Sequence, residues 1–172
     1  TNSLAGNRTQ NIEYENSSGT NYYIGRPKRT TTTSTIGDET FSTEEKFTYT
    51  NYLLTQKQTK GNGTPFDNEL YTYDAFGNLI KKTITPNGES SRDIEFEYDP
   101  TGRFLTKSID VENLETNYIF NNTTGMLEKE TNPFGQETMY EYDPWERQIK
   151  VIDYLGNETL TSYIHNAESY TI

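Results

Sequence analysis

The chain has 172 residues, of which 30% are hydrophobic, and its 15 basic and 26 acidic side chains give a formal net charge of −11. This charge repels a phosphate backbone, so we expect no nucleic-acid partner. The sequence contains no cysteine, which excludes disulfides and thiolate chemistry, and no apolar run approaches the roughly 20 residues of a membrane helix, so we expect no membrane insertion.

The composition indicates an all-β protein in which tyrosine takes the place of aliphatic residues. There are 14 Tyr and 8 Phe beside many Thr, Asn, Ser and Gly, a mixture typical of half-solvated strands and turns. Because a core of Leu, Ile and Val would be thin, aromatic rings must supply much of the buried area, roughly 150 to 250 Å² each. We therefore predict that the tyrosines form the core.

Residues 1–46 are predicted to be a divergent lead-in β segment. The segment contains YYIGRP at 22–27, a Thr-rich stretch at 28–35 and the charged EEK at 44–46. We expect strands joined by a longer loop. The run from Thr30 to Thr33 has two interpretations, a strand or a flexible linker, and the strand is favoured because threonine has a high β propensity and linkers usually contain Gly or Pro.

Residues 47–172 carry a repeated pattern of an aromatic residue, any residue, a second aromatic residue and Asp or Asn, best preserved at 71–160. The copies are YTYDAFG at 71–77, FEYDPTG at 96–102, YIFNNTTG at 118–125 and YEYDPWE at 140–146, spaced by about 22 to 25 residues. Fainter copies lie at 12–14, 47–49 and 163–165. The motif positions are Tyr71, Tyr73, Asp74, Gly77, Phe96, Tyr98, Asp99, Gly102, Tyr118, Phe120, Gly125, Tyr140, Tyr142 and Asp143. Self-similarity of this period predicts a repeat architecture.

Each repeat is predicted to be one antiparallel hairpin with its link to the next. Two aromatics separated by one residue share a strand face, and the Asp and Gly that follow form a turn, because Asp accepts backbone hydrogen bonds and Gly tolerates a left-handed conformation. A second turn signal follows at 86–89, 132–135 and 153–157. The predicted fold is a continuous, twisted strip of consecutive hairpins, with rings of neighbouring repeats aligned in a ladder worth about 0.2 to 1 kcal/mol per pair.

The motif YxYDxxGxL at 71–79, echoed at 96–104, resembles the signature of Rhs and YD-repeat proteins, which include bacterial Rhs toxins, toxin-complex shell subunits, wall-associated proteins and teneurins. The stretch YIGRPKRTTTT at 23–33 also resembles the lead-in of toxin-complex members. The resemblance implies a wall segment of a hollow β-shell that encloses a C-terminal, toxin-like domain of a secreted or cell-surface bacterial protein. The implied partners are the flanking repeats, the enclosed domain and an export machinery.

Three positions depart from the motif. Glu146 stands where glycine is expected, the Tyr118 copy has Asn121 and one additional residue before Gly125, and His165 takes an aromatic position. A left-handed conformation costs a non-glycine residue on the order of 1 kcal/mol. We therefore predict a different type of turn at Glu146.

The acidic residues are predicted to cap turns and not to catalyse a reaction. Asp99 and Gly102 belong to a DPTG sequence that resembles the self-cleaving core motif of Rhs shells, but the second Asp-Pro, at Asp143, is more than forty residues away and lacks the glycine. No carboxylate pair stands out for glycoside hydrolysis. His165 is the one histidine, which excludes a multi-histidine metal site within this sequence. We expect no enzyme, cofactor or metal.

Two functions remain open at this stage. The first is the shell wall segment, and the second is an adhesive surface module that binds a carbohydrate or a protein receptor through exposed tyrosines. A wall segment should bury a common set of rings, namely Tyr71, Tyr73, Tyr98, Tyr140 and Tyr142, whereas a module should expose a patch. Because the sequence begins and ends within the pattern, we expect an open-ended fragment of a longer array.

Overall fold

The computed structural model describes residues 6–163, which form strands and turns and contain no helix that could cross a membrane. There are thirteen strands: β1 (Gly6–Ser18), β2 (Tyr22–Ile36), β3 (Glu39–Thr50), β4 (Leu53–Lys60), β5 (Asp67–Tyr73), β6 (Leu79–Thr85), β7 (Arg92–Tyr98), β8 (Leu105–Ile109), β9 (Glu115–Phe120), β10 (Leu127–Thr131), β11 (Glu137–Tyr142), β12 (Gln148–Ile152) and β13 (Glu158–Leu160). They form one antiparallel sheet in which the strand order follows the chain order. The predicted all-β fold of consecutive hairpins is confirmed.

The chain divides into two units, Thr1–Glu95 and Phe96–Ile172, with the division inside β7. The first unit contains β1 to β6 and the start of β7, and the second contains the end of β7 and the strands that follow. Predicted positions before residue 6 and after residue 163, among them His165, lie outside the described residues.

The lead-in segment of the first unit consists of long strands. β1, β2 and β3 have 13, 15 and 12 residues, and the Thr-rich stretch lies inside β2. Thr30 pairs with Ile12 on one side and with Glu45 on the other, so the strand interpretation of this stretch is confirmed. The expected longer loop is wrong, because short turns connect these strands, and β3 continues through residues 46 and 47.

The tyrosines do not form a buried core, and that prediction is wrong. Among the described residues, no hydrophobic side chain is fully buried, and the rings expected to be buried are half-buried. The physical reason is that each ring is covered by side chains of a single sheet layer, since the described residues of each unit form no second layer over the rings. The most exposed large apolar side chains lie mainly in turns, as at Phe134 and Trp145.

The predicted ladder of stacked rings is also wrong. Ring pairs occur at two places among the described residues: Phe104 stacks on Phe120 at 5.2 Å, and Tyr23 meets Tyr52 edge to face at 6.4 Å. From β5 to β12, each strand that carries the aromatic pair alternates with one that lacks it. Two strand spacings amount to about 9 to 10 Å, which is too far for direct stacking between equivalent positions.

The most buried side chains of the first unit are polar. Glu44, 8% exposed, is surrounded by Arg29 at 2.8 Å, Lys60 at 3.0 Å and Lys46 at 3.7 Å. The hydrogen bond from Lys60, followed by that from Arg29, lowers the pKa of the Glu44 carboxyl against the opposing effect of burial. The carboxylate is therefore paired with cations of β2, β3 and β4, which links the three strands.

In the second unit, ion pairs link the strands on the face opposite to the motif tyrosines. Lys107 on β8 lies 3.1 Å from Glu97 of β7 and 3.8 Å from Glu115 of β9, and Lys150 on β12 lies 2.7 Å from Glu158 of β13. Ion pairs between partly exposed side chains each contribute little to the free energy of unfolding. Their regular placement gives this sheet one aromatic face and one charged face.

Candidate functional site

The turn that follows β5 shows how Asp and Gly close a hairpin. The backbone N–H of Gly77 donates to the Asp74 carbonyl at 3.2 Å, and the Asp74 N–H donates to the carbonyl of Asn78 at 3.0 Å. The Asp74 Oδ1 atom accepts from the N–H groups of Phe76 and Asn78 at 2.8 and 2.9 Å. Gly77 has a φ of 89°, in the left-handed region. This is a type I turn followed by a left-handed residue, with the carboxylate holding its amides.

The same arrangement recurs at four further turns. These turns begin at Asp110, Asn132, Asp143 and Asp153. In each turn, the side-chain Oδ1 atom of the first residue accepts hydrogen bonds from the backbone N–H groups two and four residues later. The residue three positions after the first has a positive φ. The turn-cap role predicted for Asp143 matches this geometry. The turn at Asp110 was not predicted, although Asn113 supplies the left-handed residue that a glycine supplies elsewhere.

Glu146 adopts the conformation of the glycine that it replaces. Its φ is 63°, its N–H donates to the Asp143 carbonyl at 2.9 Å, and the N–H of Asp143 donates to the carbonyl of Arg147 at 2.9 Å. The prediction of a different turn type is therefore wrong. Arg147 lies 2.6 Å from the Asp143 carboxylate and helps to hold the turn in spite of the unfavourable φ.

Two turns are one residue longer. The N–H of Gly125 donates to the Asn121 carbonyl, and that of Asn121 donates to the carbonyl of Met126, which accommodates the additional residue noted in the sequence. A Cβ atom on Gly125 would lie 3.5 Å from the ring of Phe104. That distance is an ordinary van der Waals contact, so the positive φ of 80° is what favours glycine here.

The Asp99 turn is also longer, since the Asp99 N–H donates to the carbonyl of Phe104. The carboxylate accepts hydrogen bonds from the Thr101 hydroxyl and from the N–H groups of Phe104 and Arg103. The Thr101 hydroxyl first, and then these amides, lower the pKa of Asp99 to about 2. An ionised carboxylate whose oxygens accept hydrogen bonds from its own turn acts as a cap of that turn.

The second tyrosine of the motif, where its hydroxyl bond is seen, links a hairpin to the strand before it. The hydroxyl of Tyr73 donates to the carbonyl of Leu54 at 2.8 Å, and that of Tyr142 donates to the carbonyl of Leu127 at 2.9 Å. Tyr163, in the faint copy at 163–165, donates in the same way to Gln148 at 3.1 Å. Each acceptor is the first or second residue of the preceding strand, directly after a turn.

The first tyrosine of the motif contacts a side chain. Tyr71 binds the carboxylate of Glu69, Tyr118 lies 3.3 Å from the hydroxyl of Ser108, and the Tyr140 hydroxyl donates to Glu130 at 3.5 Å. Burial, followed by the hydrogen bond to Glu69, raises the pKa of Tyr71 well above its usual value. The phenol of Tyr71 therefore stays protonated and donates to Glu69.

The remaining motif aromatics lie on β7 and β9. Phe96 and Tyr98 are half-buried on β7, and Phe120, which lacks a hydroxyl, stacks on Phe104. Of the second turn signals, 86–89 forms a simple turn in which Glu89 donates to Pro86 at 3.1 Å. No cluster of three or more His, Cys, Asp or Glu side chains within residues 6–163 could hold a metal ion.

An aromatic cavity in the first unit was not predicted from the sequence. The cavity has a volume of about 260 Å³ and is lined by Ser17, Asn21, Tyr23, Arg26, Tyr49, Asn51 and Tyr52. These residues come from β1, β2 and β3 and from the turns that join them to each other and to β4. Neither the register of these strands nor the turn at 51–52 could be read from the repeat pattern, so no local signal marks this cavity.

The fold of this chain occurs in solved structures that contain TcdB2 and TccC3. The crystal structures of TcdB2–TccC3 and of TcdB2–TccC3–Cdc42 each match with a TM-score of 0.60 and 18% sequence identity, over 75% of this chain and 7% of theirs. The chain has the fold of a segment of TcdB2–TccC3. The likeness supports, at the level of the fold, the relation to Rhs and YD repeats that the motif predicts. No protein-family model and no curated protein matches the sequence.

Proposed function

We propose that this segment is a structural part of the wall of a hollow YD-repeat shell. The shell would enclose a C-terminal, toxin-like domain of a secreted or cell-surface bacterial protein, and the segment itself would have no enzymatic role. The fold shared with a stretch of TcdB2–TccC3 supports the structural part of this proposal. The chain spans 7% of the length of that structure, so a wall built in this way would need many such segments.

The observation that carries the proposal is the hydroxyl link between consecutive hairpins. Tyr73, Tyr142 and Tyr163 each donate to the backbone carbonyl at the start of the preceding strand. Such a link uses a backbone atom that every residue type supplies, so it can be repeated along an array of any length. Its stability is then a sum of contacts between neighbours, as in other repeat proteins.

The first partners of this sheet would be further repeats of the same kind. β13 pairs with β12 and is exposed at all three of its residues. Because the strand order follows the chain order, flanking repeats of the same chain would add their strands to the sheet in sequence. The flanking repeats are therefore the first partners that we propose, ahead of the enclosed domain and an export machinery.

The experiment is limited proteolysis of the full-length protein that contains this segment. Enclosure predicts that the C-terminal domain is cleaved at least ten times more slowly in the intact protein than after expression without the repeats. The double variant Tyr73→Phe and Tyr142→Phe should weaken the wall and speed cleavage, whereas Tyr154→Phe, an exposed residue outside the links, should not. Equal cleavage rates with and without the repeats would disprove enclosure.

A further inference from the structure

The turn between β3 and β4 is strained at an aromatic residue. Thr50 pairs with Leu53, so the turn consists of Asn51 and Tyr52, which have φ values of 49° and 71°. Two-residue hairpin turns with two positive φ values favour Asn followed by Gly, and a bulky side chain at the second position is unfavourable. Strain that persists at such a position suggests that the side chain has a use.

The strained conformation places the ring of Tyr52 at the cavity in the first unit. The ring lies edge to face with Tyr23, with centroids 6.4 Å apart and an interplanar angle of 88°, and its hydroxyl donates to Asn21 at 3.3 Å. The side chain nevertheless stays 53% exposed. Burial of the ring therefore does not explain why tyrosine occupies this position.

The one cation that lines the cavity contacts two of its rings and is paired with a carboxylate. The guanidinium of Arg26 lies 3.5 Å from the centroid of the Tyr23 ring and 4.4 Å from that of Tyr49. The same group is 2.5 Å from the carboxylate of Glu15. Arg26 thus holds two rings in place through cation–π contacts, while its charge is balanced by Glu15.

The remaining lining groups are neutral and both donate and accept hydrogen bonds. The amides of Asn21 and Asn51 and the hydroxyl of Ser17 face the same space as the rings. Amide and hydroxyl groups beside aromatic rings match a ligand that has hydroxyl groups on its rim and C–H groups on its faces. A pyranose ring has this surface.

We propose that this cavity, defined by Tyr23, Tyr49 and Tyr52 with Asn21 and Asn51, binds one pyranose unit of a neutral saccharide. Its volume of about 260 Å³ lies just below the range of pockets for drug-sized ligands, about 300 to 1,000 Å³, and suits a smaller ligand such as a single sugar ring. Tyr52 supplies the exposed stacking surface, and the two asparagine amides bind ring hydroxyls. The proposal does not depend on the shell function, because a wall segment can serve in a shell with or without a saccharide site.

The test is an NMR titration of the chain with the methyl glycosides of glucose, galactose, mannose and N-acetylglucosamine. We expect at least one of them to bind with millimolar affinity and to shift the ring signals of Tyr23, Tyr49 and Tyr52. Tyr52→Gly should weaken binding at least tenfold while Tm is kept or raised, because glycine relieves the strained φ. Tyr154→Ala is the control: Tyr154 is similarly exposed, at 56%, and its removal should leave binding unchanged.

Three outcomes would overturn the proposal. They are binding of none of the four sugars, binding that Tyr52→Gly leaves intact, and preference for a charged sugar such as sialic acid over all four. If Tyr52→Gly lowers Tm, the variant Asn21→Ala is tested instead, because it leaves the turn at Asn51 and Tyr52 unchanged. A loss of at least threefold in affinity then supports the site, and an unchanged affinity rejects it.

Discussion

The hydroxyl of Tyr142 donates a 2.9 Å hydrogen bond to the backbone carbonyl of Leu127, across the boundary between one hairpin and the next. Leu127 is the first residue of β10, directly after the turn that begins at Asn121. The motif tyrosine therefore does not stabilise its own hairpin alone. It holds the end of the preceding turn, so that this repeat stabilises its neighbour.

Removal of this hydroxyl should weaken the second unit. Tyr142→Phe keeps the ring but leaves the Leu127 carbonyl without its donor, and we expect the free energy of unfolding to fall by about 1 kcal/mol. Urea denaturation measures this change as a lower midpoint with an unaltered slope. Tyr154→Phe, at an exposed turn position, is the matched control. Equal midpoints for the two variants would show that the link contributes nothing.

The strained turn at Glu146 offers a stabilising substitution. Its φ of 63° is in the region that favours glycine, so Glu146→Gly should raise the free energy of unfolding by about 1 kcal/mol. The reverse change at an equivalent turn is the control: Gly135 has a φ of 75°, and a Cβ atom added there would meet no atom within 4 Å, so Gly135→Ala should destabilise through φ alone. Urea denaturation of both variants measures the two changes, and a destabilising effect of Glu146→Gly would refute this account of the turn.

The features that the sequence predicts correctly are local ones. The Asp74 turn depends on groups within five residues, and the strand character of Thr30 depends on its own propensity, so both can be read from the chain. The stacking of rings could not be predicted because it depends on which strands are neighbours. The cavity at Tyr52 depends on the register of three strands, and Glu146 shows that a turn held by several hydrogen bonds overrides the preference of one residue.

Acid should destabilise the second unit through Asp99. Its pKa in the folded chain is about 2, below the usual value of about 3.9 in an unfolded chain. A lowered folded-state pKa means that the stabilisation is present above about pH 4 and is lost as the pH falls towards 2. Asp99→Asn keeps a side-chain oxygen that accepts hydrogen bonds from the turn amides, and the asparagine side chain does not titrate over this pH range. A plot of Tm against pH should therefore be flatter for Asp99→Asn over this range, and parallel curves would contradict the role of Asp99.

Alkali should destabilise the first unit through Tyr71. Burial, and then the hydrogen bond to Glu69, raises the pKa of this phenol above its unfolded value of about 10. A raised folded-state pKa means that the stabilisation is complete below about pH 10 and is lost progressively as the pH rises beyond it, because the unfolded chain releases the proton first. Tyr71→Phe removes the titrating group, so its free energy of unfolding should depend less on pH above 10 than that of the wild type.

Urea denaturation at several alkaline pH values measures this difference, and phenolate absorbance reports whether ionisation accompanies unfolding. Tyr22→Phe, at an exposed position, should retain the alkaline dependence of the wild type, and a similar loss of dependence in both variants would show that the partly buried hydrogen bond to Glu69 is not its cause.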